Sequence, residues 1–310
     1  MRERQTNHII SHYFAPRGKQ RMYALGMQLS MLYLEPTDKL IGVIGDAGSG
    51  KSALVTGMFS GLELTNNDDG VNVRPLPLLE LLEPASKFRF FSPHTYHIDI
   101  RFENGFTQMS ELAEAISEAI HQGKRVVVEH FELVYPILNI KADLLIGVGE
   151  EVVVSRPTIF GPEPQEISDM VFTSLPYRLM CHTAEDLCEM FLSQEDLNRC
   201  IYDDVKHGFV MSFPNYPPEI DLRDLEKKVN DLIAQDLPVT YVDEDHISIG
   251  GKLHACSGPR THVHSTGMIK DFHLVYHFIH DKRAKRYLLV GCVGQQNLDY
   301  IIKLRETEDI

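Results

Sequence analysis

The residues with the plainest chemical purpose are Gly45-Asp46-Ala47-Gly48-Ser49-Gly50-Lys51-Ser52. Gly, four residues, then Gly-Lys-Ser is the pattern of a loop whose backbone N–H groups cradle phosphates. Glycines let the chain wrap with its amides turned inward, which makes an anion nest at the start of a helix. Lys51 would bring a point charge to the β and γ phosphates of ATP or GTP, and the Ser52 hydroxyl one coordination position on Mg²⁺. Carboxylates come next. Glu129 closes the run Arg125-Val126-Val127-Val128, and Asp68 and Asp69 sit in Asn66-Asn67-Asp68-Asp69-Gly70. Either set could orient the ion or take a proton from an acceptor hydroxyl. The aspartates read equally well as an Asx-rich turn without chemistry, and Glu129 is the better placed of the two.

These residues need elements to hold them. Leu40 to Ile44 is apolar throughout and reads as a buried parallel strand feeding the glycine loop. Leu54, Val55, Met58 and Phe59 group on one side of the helix that follows. The three valines before Glu129 suit a strand buried on both faces. Tyr96 to Phe102 alternates like a strand, placing His97, Asp99 and Arg101 on one face, a substrate wall or, more commonly, a solvent face. Ser110 to Gln122 has helical spacing with Gly123 as its stop. Residues 1–37 read as a helical lead-in, residues 38–175 as a nucleotide-binding domain and residues 176–310 as a second domain. Gly161-Pro162-Glu163-Pro164 marks the break in pattern between the last two.

Composition bounds the rest. A length of 310 residues favours two domains. The net charge of −14 argues against nonspecific coating of nucleic acid, DNA included. Residues 251–310 are locally basic, with nine Lys/Arg against six Asp/Glu, and read as a solvated surface before an RNA-facing patch. Five cysteines, all in the second half, do not make a disulfide framework. No apolar run is long enough to span a bilayer. Met1-Arg2-Glu3-Arg4-Gln5 lacks a signal peptide's apolar stretch, so no membrane partner and a cytoplasmic location are expected.

Two resemblances sharpen this. Val127-Val128-Glu129-His130-Phe131-Glu132-Leu133-Val134-Tyr135-Pro136 is similar to the strand-end segment of uridine kinase and phosphoribulokinase relatives, which carry Glu-Gly where this chain has Glu129-His130. The resemblance covers most of residues 38–160. It implies a P-loop NTPase fold, a parallel sheet with flanking helices, and a phosphate-facing lid arginine near Arg156.

In the second half, Cys181-His182-Thr183-Ala184-Glu185-Asp186-Leu187 resembles the zinc-binding helix of the alanyl-tRNA synthetase editing domain. Gly250 to Ile269 resembles the Cys-Gly-Gly-Thr-His block of the second additional domain of alanyl- and threonyl-tRNA synthetases. The resemblance implies an α+β editing-like domain and a Zn²⁺ set of His182, Asp186, Cys256 and His262, with His254 and His264 as alternatives. His182 and Asp186, at i and i+4, share a helix face, and mixed S, N and O donors suit zinc. Asp186 stands where that family has a second histidine, and two residues are inserted between Cys256 and His262. A structural cluster without metal is the competing reading.

Together the two halves resemble the bacterial proteins described as containing an alanine-tRNA synthetase second additional domain. The expectation is an ATP-dependent phosphotransferase acting on a small molecule or an RNA-linked acceptor such as aminoacyl-tRNA. A deacylase of mischarged tRNA with ATP as switch, in which Thr261 helps read the amino acid, is the first rival. A nucleotide-gated RNA or metabolite sensor is the second.

Overall fold

The computed structural model describes residues 10–62, 64, 78–82 and 94–294. Asp68 and Asp69 lie outside them. Two compact units divide the described chain. One takes the residues up to Ala15 and Lys19–Thr173; the other takes Pro16–Gly18 and everything from Ser174. The division falls at Thr173/Ser174, inside a helix, and not at the Gly161–Pro164 break.

The first unit is a mixed sheet with helices on both faces. Its elements run β1 (Ser11–Phe14), α1 (Lys19–Tyr33), β2 (Leu40–Ile44), α2 (Lys51–Met58), β3 (Thr95–Asp99), α3 (Ile100–Glu103), α4 (Met109–His121), β4 (Arg125–Glu129), α5 (Phe131–Leu138), β5 (Leu144–Val148), β6 (Glu151–Ser155) and the first turns of α6 (Pro164–Glu189). The strand order is β1-β6-β5-β2-β4-β3. β3, β4, β2 and β5 are parallel, whereas β6 and β1 add an antiparallel edge.

The period of two sorts the strand side chains. Ile41, Val43, Val127, Leu144 and Ile146 join Leu25, Leu29, Leu54 and Val55 of α1 and α2 in one core layer. Leu40, Ile44, Val126, Val128 and Leu145 join Leu112, Ile116, Phe131 and Val134 of α4 and α5 in the other. The lead-in is therefore more than helical. It contributes the edge strand β1, and α1 lies tightly on α2. A Cβ at Gly26 would come within 2.2 Å of the Leu54 carbonyl, and one at Gly57 within 2.1 Å of the Tyr23 carbonyl.

One sequence-based strand limit shifts. β3 stops at Asp99, because that carboxylate accepts the Phe102 N–H and caps α3. Arg101 is consequently helical.

The second unit is α+β. It holds the rest of α6, then α7 (Gln194–Arg199), β7 (Ile201–Val205), β8 (Gly208–Pro214), α8 (Leu222–Ala234), β9 (Val239–Asp243), β10 (His246–Ile249), β11 (Lys252–Ala255), β12 (His273–Leu274), β13 (Ile279–Asp281) and β14 (Arg286–Cys292). β12-β14-β8-β7, with β13 paired to β14, form a five-stranded antiparallel sheet, and β11-β10-β9 a three-stranded one. Phe209, Met211 and Phe213 of β8 pack with Leu222, Leu225 and Val229 of α8 and with Ala184, Leu187 and Cys188 of α6. This places one polar face of α6 against the loop after β11. Among the described residues, no helix is long and apolar enough to cross a membrane.

Candidate functional site

Chemistry gathers at one place in each unit. In the first, β2 delivers the chain into a tight curl made by Gly45 (φ 152°), Gly48 (φ 77°) and Gly50 (φ 95°). A Cβ at Gly45 would meet the Val148 carbonyl oxygen at 2.6 Å, so only glycine passes the end of β5 this closely. Gly50 caps α2, which starts at Lys51. The first-turn amides of such a helix have no intrahelical acceptor, and its positive dipole end faces the loop.

Asp46 steadies the curl. Its carboxylate accepts the Ala47 N–H at 2.7 Å and Arg101 Nη1 at 2.9 Å, and its carbonyl accepts the Ser49 N–H at 3.3 Å. Burial would raise its pKa, but the Ala47 N–H and Arg101 outweigh that and leave it below the ordinary value.

Lys51 is buried and folds back across the loop, donating from Nζ to the Asp46 carbonyl at 2.8 Å. The same Nζ lies 3.9 Å from Glu129 Oε2. Glu129 is opposite Val43 in the parallel register of β2 and β4, which sets its carboxylate beside the loop. It is 2% exposed. His97 Nε2, on β3, sits 3.1 Å from Glu129 Oε1. An ionised carboxylate only accepts, so Nε2–H is the donor. Burial pushes the Glu129 pKa up. The bond from His97 and the charges of His97, Lys51 and His130 prevail, and the carboxyl stays below its usual value.

His97 is thus not solvent-facing but the partner of Glu129. Its reading as an exposed member of an alternating strand failed because β3 runs beside β4, and Asp99 is level with Glu129. His130 follows with φ 56° and ψ 43°, a left-handed backbone. Histidine is among the few side chains that visit this region, at a cost. Ser52, half-buried, stands one residue into α2. Arg156 is at the opposite end of the sheet from the loop. It binds both carboxylate oxygens of Asp38 (2.8 and 2.9 Å) and the Asp143 carbonyl (3.2 Å), just ahead of β2 and β5. That is a structural clamp, and the lid role implied for Arg156 is not its place here.

In the second unit, α6 turns His182, Glu185, Asp186 and Glu189 toward one side, as i, i+3, i+4 and i+7 spacing requires. β11 adds His254, and the loop after it adds Cys256, Thr261 and His262. Three of the four residues implied as zinc ligands converge: ligand atoms of Asp186, Cys256 and His262 all lie within 4.8 Å of one another. Asp186, Glu189 and His254 form a second such set. His182 belongs to neither set. Its Nδ1 is 2.8 Å from Thr261 Oγ1, which itself donates to the Gly258 carbonyl at 2.7 Å.

A residue that sequence reasoning passed over stands among them. Arg17, 4% exposed, pairs through Nη1 with Glu185 and through Nη2 with Asp186, and Nη2 also reaches Cys256 Sγ at 3.0 Å. His262 Nε2 is 2.9 Å from the other Asp186 oxygen, Oδ2. Burial raises the Asp186 pKa, but Arg17 and then His262 overcome it and hold the group well below the carboxylate range. Glu185 goes the other way, pushed up to about 8 by burial that Arg17 only partly offsets. Burial, and then Asp186, push the Cys256 thiol up to about 12.

No protein family matches the chain, and no curated protein matches it. Among solved structures, the ornithine aminotransferase of Toxoplasma gondii, crystallised with oxidised glutathione and partially occupied by PLP, is similar at TM-score 0.23. It is 8% identical, over 81% of this chain and 67% of that one. The ornithine aminotransferase of Toxoplasma gondii ME49 is similar at TM-score 0.23 and 10% identity, over 81% and 68%. Likeness at that level carries no argument about chemistry.

Proposed function

We propose that the chain is an ATP- or GTP-dependent phosphotransferase of the P-loop kind, with its site at the carboxyl ends of β2 and β4. The observation that carries this reading is Lys51 Nζ lying 3.9 Å from the buried Glu129 carboxylate, at the mouth of a three-glycine loop that opens a helix. Sheet topology supports it. β2 lies between β4 and β5, where successive connections leave in opposite directions, and ligands of open α/β sheets bind at such switch points.

In this mechanism the loop amides and the α2 terminus hold the phosphates. Lys51 exchanges the Asp46 carbonyl for the β and γ phosphate oxygens. Ser52 would hold Mg²⁺, which supplies charge neutralisation on those oxygens. The bond between the γ phosphorus and its bridging oxygen breaks, and a bond from the acceptor oxygen forms. Glu129, ionised and oriented by His97, takes the acceptor's proton. The acceptor is a hydroxyl of a small molecule or of an RNA-linked group.

Calorimetric titration of the full chain with Mg·ATP and Mg·GTP, followed by transfer of labelled γ-phosphate to a panel of nucleosides, amino acids and tRNA, tests this. Acceptor-dependent transfer supports it. Binding with only slow hydrolysis points to a nucleotide-gated sensor instead. Absence of binding removes the reading.

A further inference from the structure

Asp186, Cys256 and His262 do not fit a zinc ion as they stand. Asp186 Oδ1 pairs with Arg17, and Oδ2 accepts from His262 Nε2–H, so that nitrogen carries a proton where a ligand needs a lone pair. Cys256 Sγ faces a donor of Arg17. His182 belongs to neither set of side chains whose ligand atoms lie within 4.8 Å of one another.

Delivery of Arg17 is equally specific. The Arg17 N–H donates to Asp204 Oδ1 at 3.1 Å, and the Pro16 carbonyl accepts from Arg178 Nη2 at 3.1 Å. Gly18, at φ 91°, passes so close to Ser257 that a Cβ would meet its carbonyl oxygen at 3.0 Å. Three residues from far away in the chain are therefore pinned at backbone level on both sides of the guanidinium. A buried aspartate needs a cation, and the planar fork meets Glu185 from one nitrogen and Asp186 and Cys256 from the other, a spread that a compact ammonium does not match.

We propose that Arg17 is the resident cation of this cluster and takes the place that a divalent metal holds in editing-type domains. The guanidinium neutralises Asp186, ties Glu185 to the same point and closes the Cys256–His262 loop onto α6. The unit is thereby locked by a residue of its own chain and folds without metal.

The test uses the full chain, expressed in zinc-supplemented medium, with metal content measured by mass spectrometry and the melting temperature read with and without EDTA. The expected result is under about 0.1 zinc per chain and no shift on chelation, since a structural metal is bound stoichiometrically and its removal unfolds the site. Close to one zinc per chain, with a melting temperature that falls on chelation, would overturn the proposal. Arg17→Met leaves Asp186 buried without its cation and should melt on the order of 10 °C lower. Arg17→Lys should recover only part of that loss, and a Met variant as stable as the parent would equally overturn it. Cys256→Ser checks the same point if the Arg17 variants do not fold. Unchanged metal content is expected, and loss of bound zinc is the contrary result.

Discussion

Glu129 can serve as a base at neutral pH because its neighbours, not its burial, decide its charge. Burial alone would raise its pKa, whereas His97 and Lys51 hold it below the ordinary carboxylate value. Two outcomes follow. Glu129→Gln should lower acceptor-dependent turnover by about 10²–10⁴-fold while nucleotide affinity stays near that of the parent. His97→Gln should move the acid limb of the pH–rate profile upward, because one source of the lowering is lost while burial remains. A limb that stays in place, or moves down, would deny His97 its positioning role. The sign for stability runs parallel. A carboxyl with a depressed folded pKa stabilises the fold above its unfolded value of about 4.3 and loses that contribution as pH falls through the folded value. Histidine at 97 gave no such signal in the sequence, since alternation tells which residues share a face but not what covers the face.

At the scale of elements, the tightest constraint is the contact of α1 with α2. Gly26 and Gly57 leave no room for a methyl group, and the atoms a methyl would meet are backbone carbonyls that cannot swing away. Gly57→Ala should therefore cost roughly 1–3 kcal/mol or more by overpacking. Because α2 starts at Lys51, it should also weaken nucleotide binding. Denaturant unfolding and a nucleotide titration of the same variant measure both, and full stability with full affinity would contradict the packing. Asp221 is a simpler case. It caps α8 by accepting the Arg223 and Asp224 N–H groups at 2.8 and 3.2 Å, so Asp221→Ala should cost about 1 kcal/mol in a denaturant titration. The elements were legible where pattern alone fixes them. The apolar run of β2 and the valines of β4 are each set by local pattern. β1 was not legible: its four residues alternate only weakly and form a strand because β6 offers an edge. The glycine loop announced itself through residue types at fixed spacing. Arg17 could not, because it pairs with Asp186 across 169 residues and no periodicity or motif connects them.

For the whole molecule, the arrangement of cores decides how a ligand is felt. One unit is organised on a mixed sheet with an apolar layer on each face. The other has a core of its own, built on β8, α8 and α6. A nucleotide held by the Gly45–Ser52 loop stabilises the state that contains that loop by RT ln(1 + [L]/Kd), about 2.7 kcal/mol at a hundredfold excess over Kd. For a unit of this size that is a rise of roughly 5–10 °C in its melting temperature. Scanning calorimetry of the full chain should therefore show a nucleotide-dependent upward shift that Lys51→Ala abolishes. The control is Arg17→Met, which perturbs the second core and leaves every residue of the loop unchanged. If the two units melt separately, ATP should move one transition, and Arg17→Met the other. If they melt together, both should move the one transition, in opposite directions. A nucleotide shift that survives Lys51→Ala would place the ligand somewhere other than the curl between β2 and α2.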